Sequence, residues 1–208
     1  MTAENGVNAI GYNALDNYLY GIVQPSRNLI RISSAGAATV VRSFTAAEIG
    51  TAAINVGDVD ANGHYWFGSS GNSWHQVNLV PESPTYGDIL NKGTANPLGF
   101  ALADWVYIPV AGEYLWTVSP DGADTALLRF SLDTKTWEVV ARYAEVGTTG
   151  GGFGALYGIN NGTLFASNNQ NGEIWAFDVL GDKVPWLAAR GPRSGSNDGA
   201  RCVGNMLV

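Results

Sequence analysis

Apolar and polar residues alternate at period two in short runs along the chain, and each run is broken by Gly, Asn or Asp, which is how antiparallel strands joined by tight turns read. Four segments repeat one order: a strand of small residues, a turn, an aromatic strand, a loop, an alternating strand, and a closing strand. The aromatic strands are "NYLYG" from Asn17, "HYWFG" from His64, "EYLWT" from Glu113 and "GTLFAS" from Gly162. The alternating strands are "LIRIS", "HQVNL", "LLRFSL" and "IWAFDV", and the closing strands are "ATVVRSF", "YGDIL", "WEVVARY" and "KVPWLA". Taking Ile32, Val77, Phe130 and Phe177 as equivalent, the repeats are 45, 53 and 47 residues apart. Four-stranded meanders at that period predict an all-β fold, a β-propeller of four to five blades. The blade units run over about 6–45, 52–93, 98–145 and 150–190 of a single domain spanning 1–208. No long amphipathic helix competes, and the Ala-rich "TAAEIGTAAI" at 45–54 reads as a connector with room for one helical turn.

The innermost strands are "VNAIGYN", "INVGDVD", "LADWVYIP" and "GFGALYGI". Aligning the aromatic strands that follow puts Asn8, Asn55, Asp104 and Phe153 in one register. "SNDGAR" near the C-terminus begins the pattern again, with Asp198 in the same place. The segment 194–208 is therefore a closing strand. Residues 196–203 are expected to pair either with the first blade near Val7–Tyr12 or across a two-fold axis with a second copy, which leaves monomer and strand-exchanged homodimer both open.

The phrases "NAIGYNALDNYLYG", "GDVDANGHYW", "LADWVYIP", "LLRFSLDTKTWEVV" and "SNDGARC" resemble those of an uncharacterised family of propeller-like domains from fungi and bacteria, a domain of unknown function. The resemblance spans nearly the whole chain. It implies the propeller but lends no activity, and it allows secretion of a longer precursor. Family members carry an extra strand pair before the "NAIGYN" phrase, where this chain begins almost at once.

Composition narrows the function classes. With 46% hydrophobic and only 14% charged residues, and with 27 Gly, 7 Trp and 9 Tyr, the chain is expected to fold rather than stay disordered. Eleven Lys and Arg against 18 Asp and Glu give a net charge of −7 with no basic run, so a nucleic acid is excluded as partner. The opening "MTAENGVNAIGYN" has neither the basic nor the apolar region of a signal peptide, and no stretch approaches a membrane span, so a soluble chain is expected. The single cysteine, Cys202, forms no internal disulfide and reads as a small buried hydrophobe.

Chemistry-bearing candidates concentrate on the inner strands. Asn8, Asn55, Asp104 and Asp198, with Asp58 and Asp60 nearby, offer oxygen ligands from different blades, the donor set that Ca²⁺ or Mg²⁺ prefers. A gluconolactonase-like propeller is similar in plan, holding a metal with one residue per blade to polarise a lactone carbonyl. The structural alternative is that these short polar groups cap strand ends or close Asx-turns. "GDVDANG" at 57–63 has Asp58, Asp60 and Asn62 at calcium-loop spacing but no glutamate at the twelfth position, and reads as a hairpin turn. "NNGT" at 160–163 contains a glycosylation sequon but reads as a hairpin turn. The Gly run at 147–154 precedes a strand and reads as an inter-blade loop.

His64 and His75, the two histidines, fall at no recognisable spacing from a Ser nucleophile and a carboxylate, so no hydrolytic triad is expected. Trp66, Trp116 and Trp175 read as packing between blades, whereas Trp74, Trp105 and Trp186 lie nearer strand ends, where they can stack on a sugar. Two readings follow. One is a binding propeller that takes a small molecule, glycan or peptide at the tunnel mouth through Asp104, Trp105, Asn55 and Asp198. The other is a metal-assisted hydrolase or isomerase of lactonase type, with Ca²⁺ or Mg²⁺ on Asn8, Asn55, Asp104 and Asp198.

Overall fold

A computed structural model describes residues 6–147, 151–181 and 183–202. The described chain forms sixteen strands in four antiparallel sheets of four, each a meander in sequence order. The first blade is β1 (Gly6–Asn13), β2 (Tyr18–Gln24), β3 (Asn28–Ile32) and β4 (Ala38–Ser43). The second is β5 (Val56–Val59), β6 (His64–Ser69), β7 (Ser73–Asn78) and β8 (Ile89–Thr94). The third is β9 (Val106–Tyr107), β10 (Tyr114–Asp121), β11 (Asp124–Ser131) and β12 (Trp137–Ala144). The fourth is β13 (Phe153–Ile159), β14 (Thr163–Asn168), β15 (Glu173–Asp178) and β16 (Trp186–Arg190). The protein is thus a four-bladed β-propeller. Among the described residues no helix is long and apolar enough to cross a membrane.

Middle strands are apolar on both faces because each blade is sandwiched between neighbours. In β6, Tyr65 and Phe67 point into the core shared with the first blade, beside Ala9, Tyr20, Ile22 and Leu29, while Trp66 points the other way to Trp74, Trp105, Phe130 and Trp137. The same division runs down β10, where Leu115 joins that second cluster and Trp116 and Val118 join a third with Leu156, Leu164 and Phe177. The outer strand β12 has one wet face, hence the strict alternation of burial along it. The rings between the second and third blades interlock: Trp137 lies 5.2 Å from Phe130 and 6.1 Å from Trp105, and its indole N–H donates to the Gly71 carbonyl at 3.0 Å.

Turn chemistry follows the sequence. Asp60 Oδ1 accepts from the Asn62 and His64 amides, so "GDVDANG" is a hairpin turn. Asn161 Oδ1 accepts from Thr163 N, with Gly162 at φ 87°, in the turn of "NNGT". Residues 148–150 of the Gly run lie outside the described residues. The Ala-rich connector holds a short helix, α1 (Ala46–Ile49), closed by a capping box in which Thr45 and Glu48 satisfy each other's amides. Glu48 also pairs with Arg42 at 2.7 Å, and these contacts hold its carboxyl down at about 2. Thr45→Ala is expected to cost about 1 kcal/mol, read as a fall of roughly 2–4 °C in a thermal melt.

Inner strands come so close that glycine is required. A Cβ on Gly57 would collide with the Ala9 carbonyl, and one on Gly11 would lie 2.7 Å from the Asp58 Cα. Gly199 meets the fourth blade in the same way, with a Cβ 2.7 Å from the Leu156 amide nitrogen. The segment 194–202 therefore runs along the inside of β13 and reaches β1, where Asp198 Oδ2 accepts from Ile10 N at 2.8 Å. It occupies the inner-strand position of a fifth blade. It joins through a side chain and forms no ladder, so the expected strand pairing of residues 196–203 is not seen over 196–202, and Val203 lies outside the described residues.

Candidate functional site

The centre of the ring is built by one dipeptide used repeatedly, in which a short polar residue precedes a residue whose amide it caps. Asn8 Oδ1 accepts from Ala9 N, Asp58 Oδ1 from Val59 N, Asp104 Oδ1 from Trp105 N, and Asp198 Oδ1 from Gly199 N, each at 2.8 Å. The second carboxylate oxygen reaches the following blade. Asp58 Oδ2 accepts from Tyr107 N at 2.7 Å, Asp104 Oδ2 from Leu156 N at 2.7 Å, and Asp198 Oδ2 from Ile10 N at 2.8 Å. Each aspartate is a staple between neighbouring inner strands. The Tyr65 hydroxyl adds another, donating from the second blade to the Ala9 carbonyl of the first.

Burial sets the electrostatics. Desolvation pushes the Asp58 carboxyl up to about 7 against the pull of the Tyr107 and Val59 amides. Burial also drives Asp104 well above the ordinary carboxyl range, with the Asp198 charge adding to it, and lifts Asp198 to about 7. The Asp104 and Asp198 carboxyls are close enough for each to act on the other's proton affinity. Tyr65 is driven up by its burial and by all three carboxyls.

The ring residue of the second blade is Asp58. Asn55, expected there, stands three residues earlier: its Nδ2 donates to the Leu102 and Ala103 carbonyls and its Oδ1 accepts from Ser70 N, bracing the second blade against the third. Phe153 is fully buried among Val106, Trp116 and Phe177, so the fourth blade contributes no carboxylate. Trp105 is 1% exposed, with its indole N–H donated to the Trp66 carbonyl, and lies inside the inter-blade core. Trp74 is buried as well, whereas Trp186 on β16 is 42% exposed. Trp66 and Trp116 fill the gaps between blades. Among the described residues, no three His, Cys, Asp or Glu side chains converge in a geometry that could hold a metal ion. His64 contacts Gln76 and Asp60, and His75 stacks on Phe67 at 4.9 Å, its pKa lowered by burial.

A family model described as a repeat of unknown function (DUF6923) matches residues 1–204. The chain belongs to that family. No curated protein matches its sequence. Among solved structures, this family member is similar to virginiamycin B lyase from Staphylococcus aureus, with a TM-score of 0.54 and 15% identity over 90% of this chain and 57% of the lyase. A gluconolactonase from Xanthomonas campestris has a TM-score of 0.59 and 16% identity, covering 96% of this chain and 68% of the enzyme. A chain of a nidogen–laminin complex has a TM-score of 0.60 and 11% identity, covering 93% of this chain and 69% of its own length. The family thus shares the propeller fold with distant lactonase- and lyase-type structures, while this chain spans only 57% of the lyase.

Away from the centre the surface holds two open grooves that the repeat pattern does not mark. One, of about 580 Å³, lies between the α1 connector and β7–β8, walled by Ala46, Ala47, His75 and Lys92. Lys92 Nζ is committed there to the Ala47 and Glu48 carbonyls. The other, of about 440 Å³, lies at the seam of the first two blades and is lined by Asp16, Tyr18, Arg31, Glu82 and Tyr86.

Proposed function

We propose that this chain is a ligand-binding propeller that meets a small molecule, glycan or peptide on its loops and inter-blade grooves and performs no chemistry at its centre. One observation carries the reading. Asp58, Asp104 and Asp198 together accept six backbone N–H groups, one on each carboxylate oxygen, three of them from the neighbouring blade. The three carboxylates are thereby committed as staples between inner strands, and swinging any of them toward a substrate would strip a buried amide of its partner. The competing reading is a metal-assisted hydrolase with Ca²⁺ or Mg²⁺ on Asn8, Asn55, Asp104 and Asp198. It has support from the fold shared with a gluconolactonase, but Asn55 is spent on Leu102, Ala103 and Ser70.

The test is a thermal-shift screen of glycans, peptides and small metabolites in chelated buffer and again with Ca²⁺ or Mg²⁺, run beside hydrolysis assays on lactones and esters. A ligand at a hundred times its Kd stabilises by about 2.7 kcal/mol, a rise of roughly 5–10 °C. Binding without turnover, unchanged by metal, is the expected result. Lactone turnover that needs Ca²⁺ or Mg²⁺ and is lost in Asp104→Asn would establish the hydrolase instead.

A further inference from the structure

The seam groove between the first two blades has the chemistry of one ligand class. Asp16 sits in the β1–β2 turn, Tyr18 opens β2, Arg31 lies in β3, and Glu82 and Tyr86 come from the β7–β8 loop. At about 440 Å³ the groove is in the range of small-ligand sites. Its walls are held in place from beneath. The buried Tyr20 donates its hydroxyl to the Asp16 carboxylate and contacts the Tyr86 hydroxyl at 2.7 Å, tying both to the core of the first blade. The Arg31 guanidinium lies 5.0 Å over the Tyr18 ring and donates Nε–H to Thr39 Oγ1 at 3.2 Å, yet no carboxylate pairs with it among the described residues.

The groove thus offers guanidinium N–H donors, two carboxylate acceptors on Asp16 and Glu82, and apolar surface from the tyrosine rings and Pro81. An anion drawn to Arg31 would face both acids, and a cation drawn to the acids would face Arg31. An apolar ligand would desolvate all three charges without replacing their hydrogen bonds. A neutral polyhydroxyl compound satisfies every group, because each hydroxyl both donates and accepts while the C–H faces of a sugar ring pack on tyrosine. The open side accommodates a chain that continues beyond the bound unit. Resting on the binder reading above, we infer that this groove is a binding site for a neutral glycan, held by Arg31, Asp16 and Glu82 and seated against Tyr86.

The test is calorimetric titration of the full chain with maltohexaose, cellohexaose, laminarihexaose, xylohexaose and chitohexaose at low and high NaCl, alongside polygalacturonate and free tyrosine as the anionic and zwitterionic alternatives. At least one neutral oligosaccharide is expected to bind, with an affinity that changes less than about twofold with salt, since no net charge is neutralised. Arg31→Ala and Tyr86→Ala are each expected to weaken it about tenfold. Glu82→Ala, on an exposed loop residue whose loss leaves the core intact, is expected to weaken it severalfold. Val184→Ala, at an exposed position outside the groove, should leave it unchanged. Failure of every neutral oligosaccharide, or binding that ignores both Arg31→Ala and Glu82→Ala, would overturn the assignment. Salt-sensitive binding of polygalacturonate or tyrosine alone would overturn the ligand class while leaving the binder reading in place. Metal-dependent turnover lost in Asp104→Asn would remove the binder reading itself.

Discussion

A chain ending at Arg193 is expected to melt about 15 °C below the full chain. Truncation removes the Asp198 acceptor from Ile10 N and the backbone of Gly199 that covers Leu156. A buried amide left without a partner costs about 1–3 kcal/mol. With the packing of residues 194–202 against β13 also lost, the sum is on the order of 5 kcal/mol, at 2–4 °C each in a domain of this size. Asp198→Ala, which keeps the backbone in place, should show roughly half the loss. Light scattering on the full chain at micromolar concentration should read a monomer, because the ring joint is made within one chain. A truncated chain that melts within about 3 °C of the full one would show that the segment closes nothing.

The second large effect is a stability that falls as pH rises. An aspartate in an unfolded chain titrates near 3.9, whereas burial holds Asp58 and Asp198 at about 7 and Asp104 well above its ordinary value. Between these limits the folded protein keeps protons that the unfolded chain releases, so each step up in pH favours unfolding. The stabilisation is complete below about pH 4 and is lost as pH passes through about 7. For the buried Asp58 alone, going from pH 5 to above 7 is worth about 3 kcal/mol. The melting temperature is therefore expected to drop by about 10 °C between pH 5 and pH 8, with a shallower slope in Asp58→Asn. A flat or rising profile over that range would show that the three carboxyls are ionised in the folded ring.

The blades were legible because their strands are apolar on both faces and their turns carry Gly, Asn and Asp at regular intervals. The ring was legible only in part. Ten residues separate Asn8 from Tyr18 and Asp104 from Tyr114, but only six separate Asp58 from His64, because β5 is four residues long against eight for β1, and the β9–β10 connection is longer. Counting back from "HYWFG" by the longer spacing lands near Asn55 and misses the true partner. The mode of closure was hidden for a related reason: "SNDGAR" carries the inner-strand pattern, yet Asp198 binds through its carboxylate, and a side-chain staple has no periodicity to read. Trp105 looked accessible because it lies outside the two-residue strand β9, but the ring of Trp137 and the carbonyl of Trp66 enclose it. The seam groove draws on residues from three separate stretches of chain, none of which forms a motif by itself.

The bond between Ile10 and Asp198 joins positions 188 apart, while every ladder inside a blade joins strands adjacent in the chain. Hairpins of that local kind form within microseconds, whereas closing a long loop carries an entropy cost that grows with the logarithm of its length. Assembly is thus divided in time, with four meanders gathering early and the circle latching as a distinct late event. During synthesis the Ile10 amide lacks this partner until Asp198 has left the ribosome, so the first blade waits as an open end while the other three are made. Hydrogen exchange would register this order as protection of the blade ladders before protection of Ile10.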